Sequence, residues 1–274
     1  MTDLSERQLR EKEYYEQYAA KFDVGQSIDF SPIEGPLLGR ERRPWNSYWR
    51  TYEIPVDYYL NNKGNKNFEL LDLGCGPGDN SLRFSRIGYK VTGFDISSSN
   101  IENCKKLFEK NQCADRGHFL VSIAEKLEFQ DASFDIVAGI DILHHVDIPK
   151  AMREVERVLR PGGIAVFREP VEVPFLDWIR NTRLVRFFVP NAASLEAHIT
   201  EDERKLNDTD FKVINEIFPL MTIERSLILA RFDKFIPRNS KSASLFEKVD
   251  YFFTKIIPGY SLLGGGAVII LKKK

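Results

Sequence analysis

Glycine recurs at alternate positions in LLDLGCGPGDNS, residues 70–81, between an apolar run and the start of a helix-like segment. Because glycine has no Cβ, Gly74, Gly76 and Gly78 let the main chain turn tightly and come close to a ligand. A nicotinamide dinucleotide loop needs the spacing Gly-x-Gly-x-x-Gly, and counted from Gly74 its last glycine falls on Asp79. The loop therefore predicts a cofactor site that is not of the nicotinamide type.

A carboxylate follows at the end of the next strand-like run, VTGFDIS. At the carboxyl edge of an open α/β sheet, Asp95 can accept hydrogen bonds from both hydroxyls of a ribose. The glycine loop and this carboxylate together indicate a nucleoside cofactor without a pyrophosphate.

Two histidines stand after the fourth strand-like run, in GIDILHHVDIP. This places Asp141, His144 and His145 at the same sheet edge, where such sheets bind ligands. A histidine can serve as a general base near neutral pH, but the pair can equally be a structural loop whose rings bond to the backbone. The sequence does not separate His144 from His145, and Asp141 is expected to line the pocket.

The elements that position these residues alternate from residue 69 to residue 170, with short β-like runs between helical patterns. The segment 148–163 has apolar residues at helical spacing, and Pro161 with the two following glycines is predicted to end it. Strands that alternate with helices predict parallel βαβ units in a doubly wound α/β sheet covered on both faces.

Taken in order, four motifs resemble the class I S-adenosylmethionine-dependent methyltransferases, specifically the bacterial small-molecule branch related to the ubiquinone and menaquinone methyltransferases. The motifs are LLDLGCGPGDNS, VTGFDIS, AEKLEFQDASFDIVAGIDILHHV and REVERVLRPGGIAVFREP. The resemblance implies a Rossmann-like seven-stranded sheet whose last strand is antiparallel. It also implies S-adenosyl-L-methionine as cofactor and S-adenosyl-L-homocysteine as product.

Carried over by position, the resemblance implies that Asp72, Gly74 and Gly76 surround the methionine end of the cofactor and that Asp95 holds the ribose. Ile96 would flank the adenine, and Ala124 with Glu125 would lie near its edge. The complete cofactor-binding set expected here is Asp72, Gly74, Cys75, Gly76, Asp95, Ile96, Ala124, Glu125 and Asp141. The family usually has an acidic residue just before the Ala-Glu pair, where this chain has Ile123. Either Glu125 or a backbone carbonyl takes its place, or cofactor affinity is lower than usual.

The chain outside the motifs is predicted to form a cap over residues 1–67 and helical insertions at about 171–223 and 233–262 of a methyltransferase domain over 68–274. Aromatic residues of the cap could cover a pocket, although packing in the core of the cap is favoured. They are Tyr14, Tyr18, Trp45 and Trp49.

Two apolar segments of the insertions could touch a membrane surface. The first is FLDWIRNTRLVRFFVP, residues 175–190, where arginines alternate with large apolar residues. The second is the stripe Leu245, Val249, Phe252 and Ile256. A stripe at helical spacing usually packs onto its own protein, and that interpretation is favoured here.

Composition limits the partners. The 274 residues are 43% hydrophobic with a formal net charge of −1, so no global field attracts nucleic acid. The three cysteines show no metal-ligand spacing, which indicates free thiols in a reducing compartment and no metal site. Cys75 has no charged neighbour to activate it and is expected to be a small buried residue. The polar N-terminus and the lack of a long apolar run predict a cytoplasmic protein.

The combined prediction is a methyltransferase that acts on a small molecule, and a hydrophobic or lipid-like acceptor is one possibility. Methylation of an oxygen or carbon atom is favoured over methylation of nitrogen. A protein or RNA methyltransferase is the nearest alternative, disfavoured because no basic domain is appended. A non-catalytic module that binds the cofactor and regulates a partner is the other. The sequence leaves the acceptor, the methylated atom and the oligomeric state open.

Overall fold

The computed structural model describes residues 4–62, 67–174, 204–230, 233 and 244–274. Within these ranges seven strands form a single sheet in the order β3-β2-β1-β4-β5-β7-β6. The strands are β1 (Glu69–Leu73), β2 (Lys90–Asp95), β3 (Gly117–Val121), β4 (Phe134–Ile140), β5 (Leu159–Pro170), β6 (Leu220–Ser226) and β7 (Gly266–Lys272).

The described helices either precede β1 in the chain or connect one strand to the next. They are α1 (Glu6–Ala19), α2 (Ser31–Leu37), α3 (Ser47–Asn61), α4 (Asp79–Ile87), α5 (Ser98–Lys110), α6 (Ile148–Val158), α7 (Asp208–Ile217) and α8 (Leu245–Ile256). Short 3₁₀ turns occur at Ala114–Arg116, Leu143–His145 and Tyr260–Leu263.

The strands β1 to β5 are parallel, whereas β7 runs antiparallel to both β5 and β6. From β1 the chain adds β2 and β3 on one side, and then returns to add β4 and β5 on the other. The reversal leaves a crevice between the carboxyl ends of β1 and β4, which is where doubly wound sheets bind ligands. The predicted seven-stranded sheet with an antiparallel last strand is confirmed.

Both faces of the sheet are buried, because its central strands consist almost entirely of apolar residues. On one face, the apolar side of α6 and α7 packs on β1, β4, β5 and β7. On the other, α3 and α4 cover the centre while α5 covers β2 and β3. The crossover helices therefore hold the strand ends in fixed positions, and the loops at the carboxyl edge stand on a rigid layer.

Several boundaries differ from the prediction. The helix that begins at Ile148 was predicted to end at Pro161, but it ends at Val158 because β5 begins at Leu159. The segment IERSLILARF, residues 223–232, predicts a strand from its sequence, whereas β6 begins three residues earlier and ends at Ser226. The predicted membrane-facing segment 175–190 lies outside the described residues. The division of the chain at residue 67 and the extents of the two insertions stay predictions.

The stripe on α8 is the clearest departure. It was predicted to pack onto its own protein, but Leu245, Phe252 and Ile256 are 73%, 58% and 54% exposed. The residues of α8 that are buried are Glu247 and Asp250. The prediction was wrong because carboxylates bonded to the main chain, and not the apolar stripe, decide which face of α8 lies inward.

The helices over β2 and β3 give a stability test. Leu107 on α5 is fully buried, so Leu107→Ala should lower the free energy of unfolding by about 2–5 kcal/mol through lost burial and a residual cavity. Lys106→Ala changes the adjacent exposed position and should alter it by no more than about 0.5 kcal/mol. Urea denaturation followed by circular dichroism measures both, and equal losses would contradict the packing described.

Candidate active site

A cavity of about 840 Å³ opens at the carboxyl edge of the sheet, over the crevice between β1 and β4. It is bounded below by the glycine loop and above by one side of α1. All the predicted site residues except Asp72 line it, namely Gly74, Cys75, Gly76, Asp95, Ile96, Ala124, Glu125, Asp141, His144 and His145. The structure thus brings together residues that lie up to 71 positions apart in the sequence.

The glycine loop exposes its main chain to this cavity. Gly74 and Gly76 adopt positive φ of 72° and 52°, which strongly favours glycine. A Cβ added to Gly74 would lie 2.6 Å from the side chain of Ile142, whereas one added to Gly76 would meet no atom of the described residues within 4 Å. The space beside Gly76 is therefore open for a ligand to approach the backbone.

Asp95 links the glycine loop to the start of α5. Its Oδ2 accepts a hydrogen bond from the main-chain N–H of Gly76 (3.0 Å), and its Oδ1 accepts from the N–H of Ser97 (2.9 Å) and Nδ2 of Asn100 (3.2 Å). Burial raises the pKa of Asp95, and these three hydrogen bonds oppose the rise. They also fix the carboxylate at the wall of the cavity.

Asn100 supplies a second acceptor beside Asp95. Its Oδ1 is buried and accepts no hydrogen bond from the residues that the structure describes. Buried polar atoms usually have a partner. An unpaired oxygen next to a carboxylate suits a ligand that carries hydroxyl groups.

Asp72 is the one predicted cofactor-binding residue that does not line the cavity. The side chain is 2% exposed and accepts a hydrogen bond from the hydroxyl of Ser81 on α4. Burial raises its pKa to about 7. Asp72 holds the strand β1 against the first turn of α4 and supports the glycine loop from behind.

Cys75 is a buried thiol, as predicted. Its Sγ lies 3.7 Å from Sγ of Cys104, which in turn donates to the carbonyl oxygen of Gly76 (3.1 Å). Burial, together with the neighbouring Cys104, raises the pKa of Cys75 well above its usual range. A thiol in this state is a poor nucleophile, so Cys75 contributes shape and packing to the loop.

The wall predicted to lie near an adenine is mainly apolar. Ile96, Ile123 and Ala124 line it. Glu125 also lines it, but its two oxygens accept hydrogen bonds from the N–H of Asp147 (2.9 Å) and from Nε2 of Gln8 (3.2 Å). The carboxylate therefore connects the start of α6 to α1 within the protein.

The structure distinguishes the two histidines. Nδ1 of His144 donates to Oε2 of Glu169 (2.7 Å), and both side chains are buried. Oε1 of the same glutamate accepts from the N–H groups of Ile142 (2.9 Å) and Leu143 (2.7 Å). Since one carboxylate holds the whole turn, His144 is part of the scaffold that shapes the end of β4.

His145 is held by the helix α1 on the opposite wall. Its Nε2 lies 3.0 Å from the hydroxyl of Tyr15, and its Nδ1 lies 3.1 Å from Oε2 of Glu11. The Tyr15 ring meets the imidazole edge to face at 5.5 Å. A tyrosine hydroxyl, an imidazole and a carboxylate therefore stand in a line at the cavity wall, which is the arrangement through which a proton can pass.

Asp141 pairs with Arg168 at the mouth of the cavity. Nη1 of Arg168 contacts Oδ2 of Asp141, and the main-chain N–H of Asp141 donates to the Arg168 carbonyl (2.8 Å). Asp141 has a positive φ of 55°, which is uncommon outside glycine. The pair fixes the end of β4 against β5.

The aromatic residues of the N-terminal segment divide between the two predicted roles. Tyr14 and Tyr18 line the cavity, which favours the role of a cover. Trp49 is 7% exposed beneath the guanidinium of Arg43 at 3.9 Å, and Trp45 packs on Tyr251 at 5.6 Å. The favoured core role therefore holds for the tryptophans and not for these tyrosines.

Four residues of the site were not predicted from the sequence, namely Glu11, Tyr15, Arg168 and Glu169. Tyr15 and Glu11 belong to α1 and meet His145 across a separation of at least 130 residues, which no local pattern reveals. Arg168 and Glu169 stood in the motif GIAVFREP, at the carboxyl end of β5 beside β4. Their position at that edge was the available signal.

The lining residues fit an S-adenosyl nucleoside better than a dinucleotide. The described lining holds five carboxylates, Glu11, Asp79, Asp95, Glu125 and Asp141, against one arginine, Arg168, which pairs with Asp141. Such a wall favours a cationic ligand such as a sulfonium and disfavours a pyrophosphate. The open backbone at Gly76 and the acceptors on Asp95 and Asn100 complete the match.

No helix of the described residues is long and apolar enough to cross a bilayer.

Comparison with known proteins identifies the family of this chain. Residues 71–167 match the family described as a methyltransferase domain. The chain is 34% identical over 187 residues to a demethylmenaquinone methyltransferase of Chlorobaculum parvum, covering 61% of this chain and 74% of that protein. It is 37% identical over 107 residues to the 27-O-demethylrifamycin SV methyltransferase of Amycolatopsis mediterranei, covering 38% and 39% of the two chains.

Among solved structures, the chain is similar to geranyl diphosphate C-methyltransferase from Streptomyces coelicolor, crystallised with Mg²⁺, geranyl diphosphate and S-adenosyl-L-homocysteine. The TM-score is 0.58 at 15% identity, with 99% of this chain and 98% of that chain covered. At this identity the likeness concerns the fold. In sequence, the chain spans about half the length of the first curated relatives it matches, 43% of one and 57% of another.

The burial of Asp72 gives a test by pH. Because its pKa is raised to about 7, the folded chain keeps a proton that the unfolded chain loses near pH 4. The wild-type free energy of unfolding should therefore lose this contribution as pH rises from about 4 to 7, whereas Asp72→Asn should not. Urea denaturation across that window measures the difference. Ser81→Ala, which keeps the carboxyl group, should retain the wild-type dependence, and parallel pH profiles for wild type and Asp72→Asn would contradict this assignment.

Proposed function

We propose that this chain, which belongs to the class I S-adenosylmethionine-dependent methyltransferases, methylates an oxygen or carbon atom of a small-molecule acceptor. The observation that carries the proposal is the cavity itself. It places the glycine loop and Asp95 on one wall and the Tyr15–His145–Glu11 line on the other. A cofactor and an acceptor can therefore meet between two walls of different chemistry.

On the cofactor wall, the backbone from Gly74 to Gly76 would hold the methionine end and Asp95 would accept hydrogen bonds from the ribose. Ile96, Ile123 and Ala124 would flank the adenine, with Ile123 in place of the usual acid. When bound, the cofactor supplies a methyl group on a positively charged sulfur. The carboxylates of the wall would favour that charge, and Asp141 at the cavity mouth is one of them.

On the acceptor wall, Tyr14, Tyr15 and Tyr18 of α1 cover the cavity with flat, largely apolar side chains. They would hold an aromatic or otherwise apolar acceptor and keep water from the reacting atoms. Holding two reactants in line is worth on the order of 7–11 kcal/mol in well-oriented reactions. Positioning by these walls is therefore the main contribution of the protein to catalysis.

A hydroxyl or enol acceptor must lose a proton, and His145 is placed to receive it. Tyr15 can pass its hydroxyl proton to Nε2 of His145 while its oxygen accepts the proton of the acceptor. The resulting imidazolium would be stabilised by the Glu11 carboxylate. His144 is engaged by Glu169 and keeps a positioning role. Of the two histidines predicted as catalytic, we therefore propose His145 as the base.

The alternatives are weaker. A non-catalytic module should fill the acceptor space with its own side chains, whereas the described residues leave an open cavity. A nucleic-acid substrate is disfavoured by a net charge of −1 and by the acidic lining.

We further propose a cytoplasmic location.

Cofactor binding is tested by thermal unfolding with S-adenosylmethionine, S-adenosylhomocysteine and NAD in parallel. A ligand at about 100 times its dissociation constant adds roughly 2.7 kcal/mol and should raise Tm by several degrees. Both adenosyl ligands should give this shift and NAD should not. Asp95→Ala should abolish it, while Asp115→Ala, an exposed carboxylate after α5, should keep it. A shift with NAD alone would refute the assignment.

Catalysis is tested by formation of S-adenosylhomocysteine with a panel of catechols, hydroquinones and 1,3-dicarbonyl compounds. With a hydroxyl acceptor, Tyr15→Phe and His145→Gln should each lower kcat about 10²- to 10⁴-fold with little change in cofactor affinity. His118→Gln, an exposed histidine on β3, is the control. Unchanged kcat in both variants would refute the role of His145, and cofactor binding without turnover of any acceptor would favour the regulatory module.

A further inference from the structure

The helix α8 is amphipathic with its polar face inward. Its acidic residues Glu247 and Asp250 are 6% and 4% exposed, whereas Leu245, Phe252 and Ile256 are among its most exposed residues. A surface helix of a globular protein normally has the opposite arrangement. An apolar face turned outward marks a surface that another apolar phase or partner covers.

Asp250 fixes this orientation. Its Oδ2 accepts hydrogen bonds from the main-chain N–H groups of Ile228 (3.0 Å) and Ala230 (2.9 Å), and its Oδ1 accepts from the N–H of Leu229 (2.8 Å). The hydroxyl of Tyr260 donates to Oδ1 as well (3.0 Å). Hydrogen bonds to a charged acceptor are about twice as strong as neutral ones. Rotating α8 to bury its apolar face would break all four.

Glu247 and Tyr251 attach the same face to the rest of the protein. Glu247 accepts hydrogen bonds from Nδ2 of Asn46 and from the N–H of Ser244, where it completes a capping box. The ring of Tyr251 packs on Trp45 at 5.6 Å. The inward face of α8 is therefore held at Glu247, Asp250 and Tyr251, and its outward face is a fixed feature of the fold.

The outward residues continue into the next turn. Tyr260 packs on Phe253 at 5.5 Å and brings the 3₁₀ turn Tyr260–Leu263 against the helix. We define the α8 surface by the exposed apolar residues of these two elements and by Ile257, which follows α8. They are Leu245, Phe252, Ile256, Ile257, Leu262 and Leu263. Each of the six is at least 36% exposed.

The charge of this surface is positive. At about 100° per residue, Lys248 and Lys255 lie along one edge of the stripe formed by Leu245, Phe252 and Ile256. Both lysines are exposed, while both acids of α8 are buried. The accessible charges of α8 are therefore cationic and border an apolar stripe.

We propose that the α8 surface docks on an anionic lipid bilayer. A short helix with an apolar stripe and lysines at its edge binds in the plane of the interface, with the apolar side chains among the acyl chains and the ammonium groups at the phosphates. Twelve residues make a helix of roughly 18 Å, which suits lying on a bilayer and not spanning one. An antiparallel two-fold contact with a second copy would bring the lysine edges near each other.

The test uses the full-length chain and sedimentation with vesicles of phosphatidylcholine alone or mixed equally with phosphatidylglycerol. Binding to the mixed vesicles should be clearly stronger and should weaken as salt is raised. The double variant Phe252→Ser/Ile256→Ser should lower the partition coefficient at least about tenfold, because it removes two buried apolar side chains. Lys248→Glu/Lys255→Glu should remove the preference for the anionic vesicles.

Leu38→Ser is the matched control, because Leu38 is 69% exposed but lies at the end of α2, outside the α8 surface. Its partition coefficient should equal that of the wild type. All variants change exposed positions, so their Tm should stay within a few degrees of the wild type.

Three results would overturn the proposal. One is the absence of binding to either vesicle, and another is binding that Phe252→Ser/Ile256→Ser does not reduce. The third is a dimer in light scattering that this double variant dissociates, since the occupant of the α8 surface would then be a second copy of the chain. Because these readouts need neither cofactor nor acceptor, they are independent of the proposed methyl transfer.

Discussion

Main-chain N–H groups at the ends of strands and the starts of helices need acceptors, and in this fold buried or half-buried carboxylates provide many of them. Asp95 accepts from Gly76 and Ser97 at the end of β2. Glu169 accepts from the turn after β4. Glu125 accepts from the N–H of Asp147, the residue before α6. The acids thus fix the loops of the carboxyl edge, and the positions of all other site residues depend on them.

This use of carboxylates also determines the electrostatics of the cavity. Two of these acids, Asp95 and Glu125, also line the cavity, and Arg168 is the one arginine of the described lining. Acids that the main chain needs as acceptors therefore also suit a positively charged methyl donor.

Local patterns predicted the sheet and most of the cofactor wall, because the glycine loop and Asp95 act through neighbours in the sequence. The sequence could not show that Asp72 points away from the cavity to Ser81, since a motif gives a position without a side-chain direction. Nor could it pair His145 with Tyr15 and Glu11 of a distant helix. The prediction for α8 was wrong for a related reason. The helical spacing of its apolar residues identified the stripe, but the hydrogen bonds from residues 228–230 to Asp250 decide which face of the helix is buried.

The helix α1 closes the cavity in a different way from the helices that cover the sheet. Its buried residues are Glu11 and Ala19, so it buries little apolar area. Polar contacts hold it, among them the bond from Arg7 to the His144 carbonyl (2.9 Å) and those from Ser98 and Ser99 to Glu16. Although burial opposes it, these last bonds hold the pKa of Glu16 down at about 2. Water can replace such contacts when α1 moves, whereas it cannot replace buried apolar area. Separating α1 from the sheet would therefore expose little apolar area and would leave the core of the sheet intact, in contrast to the helices that cover the sheet.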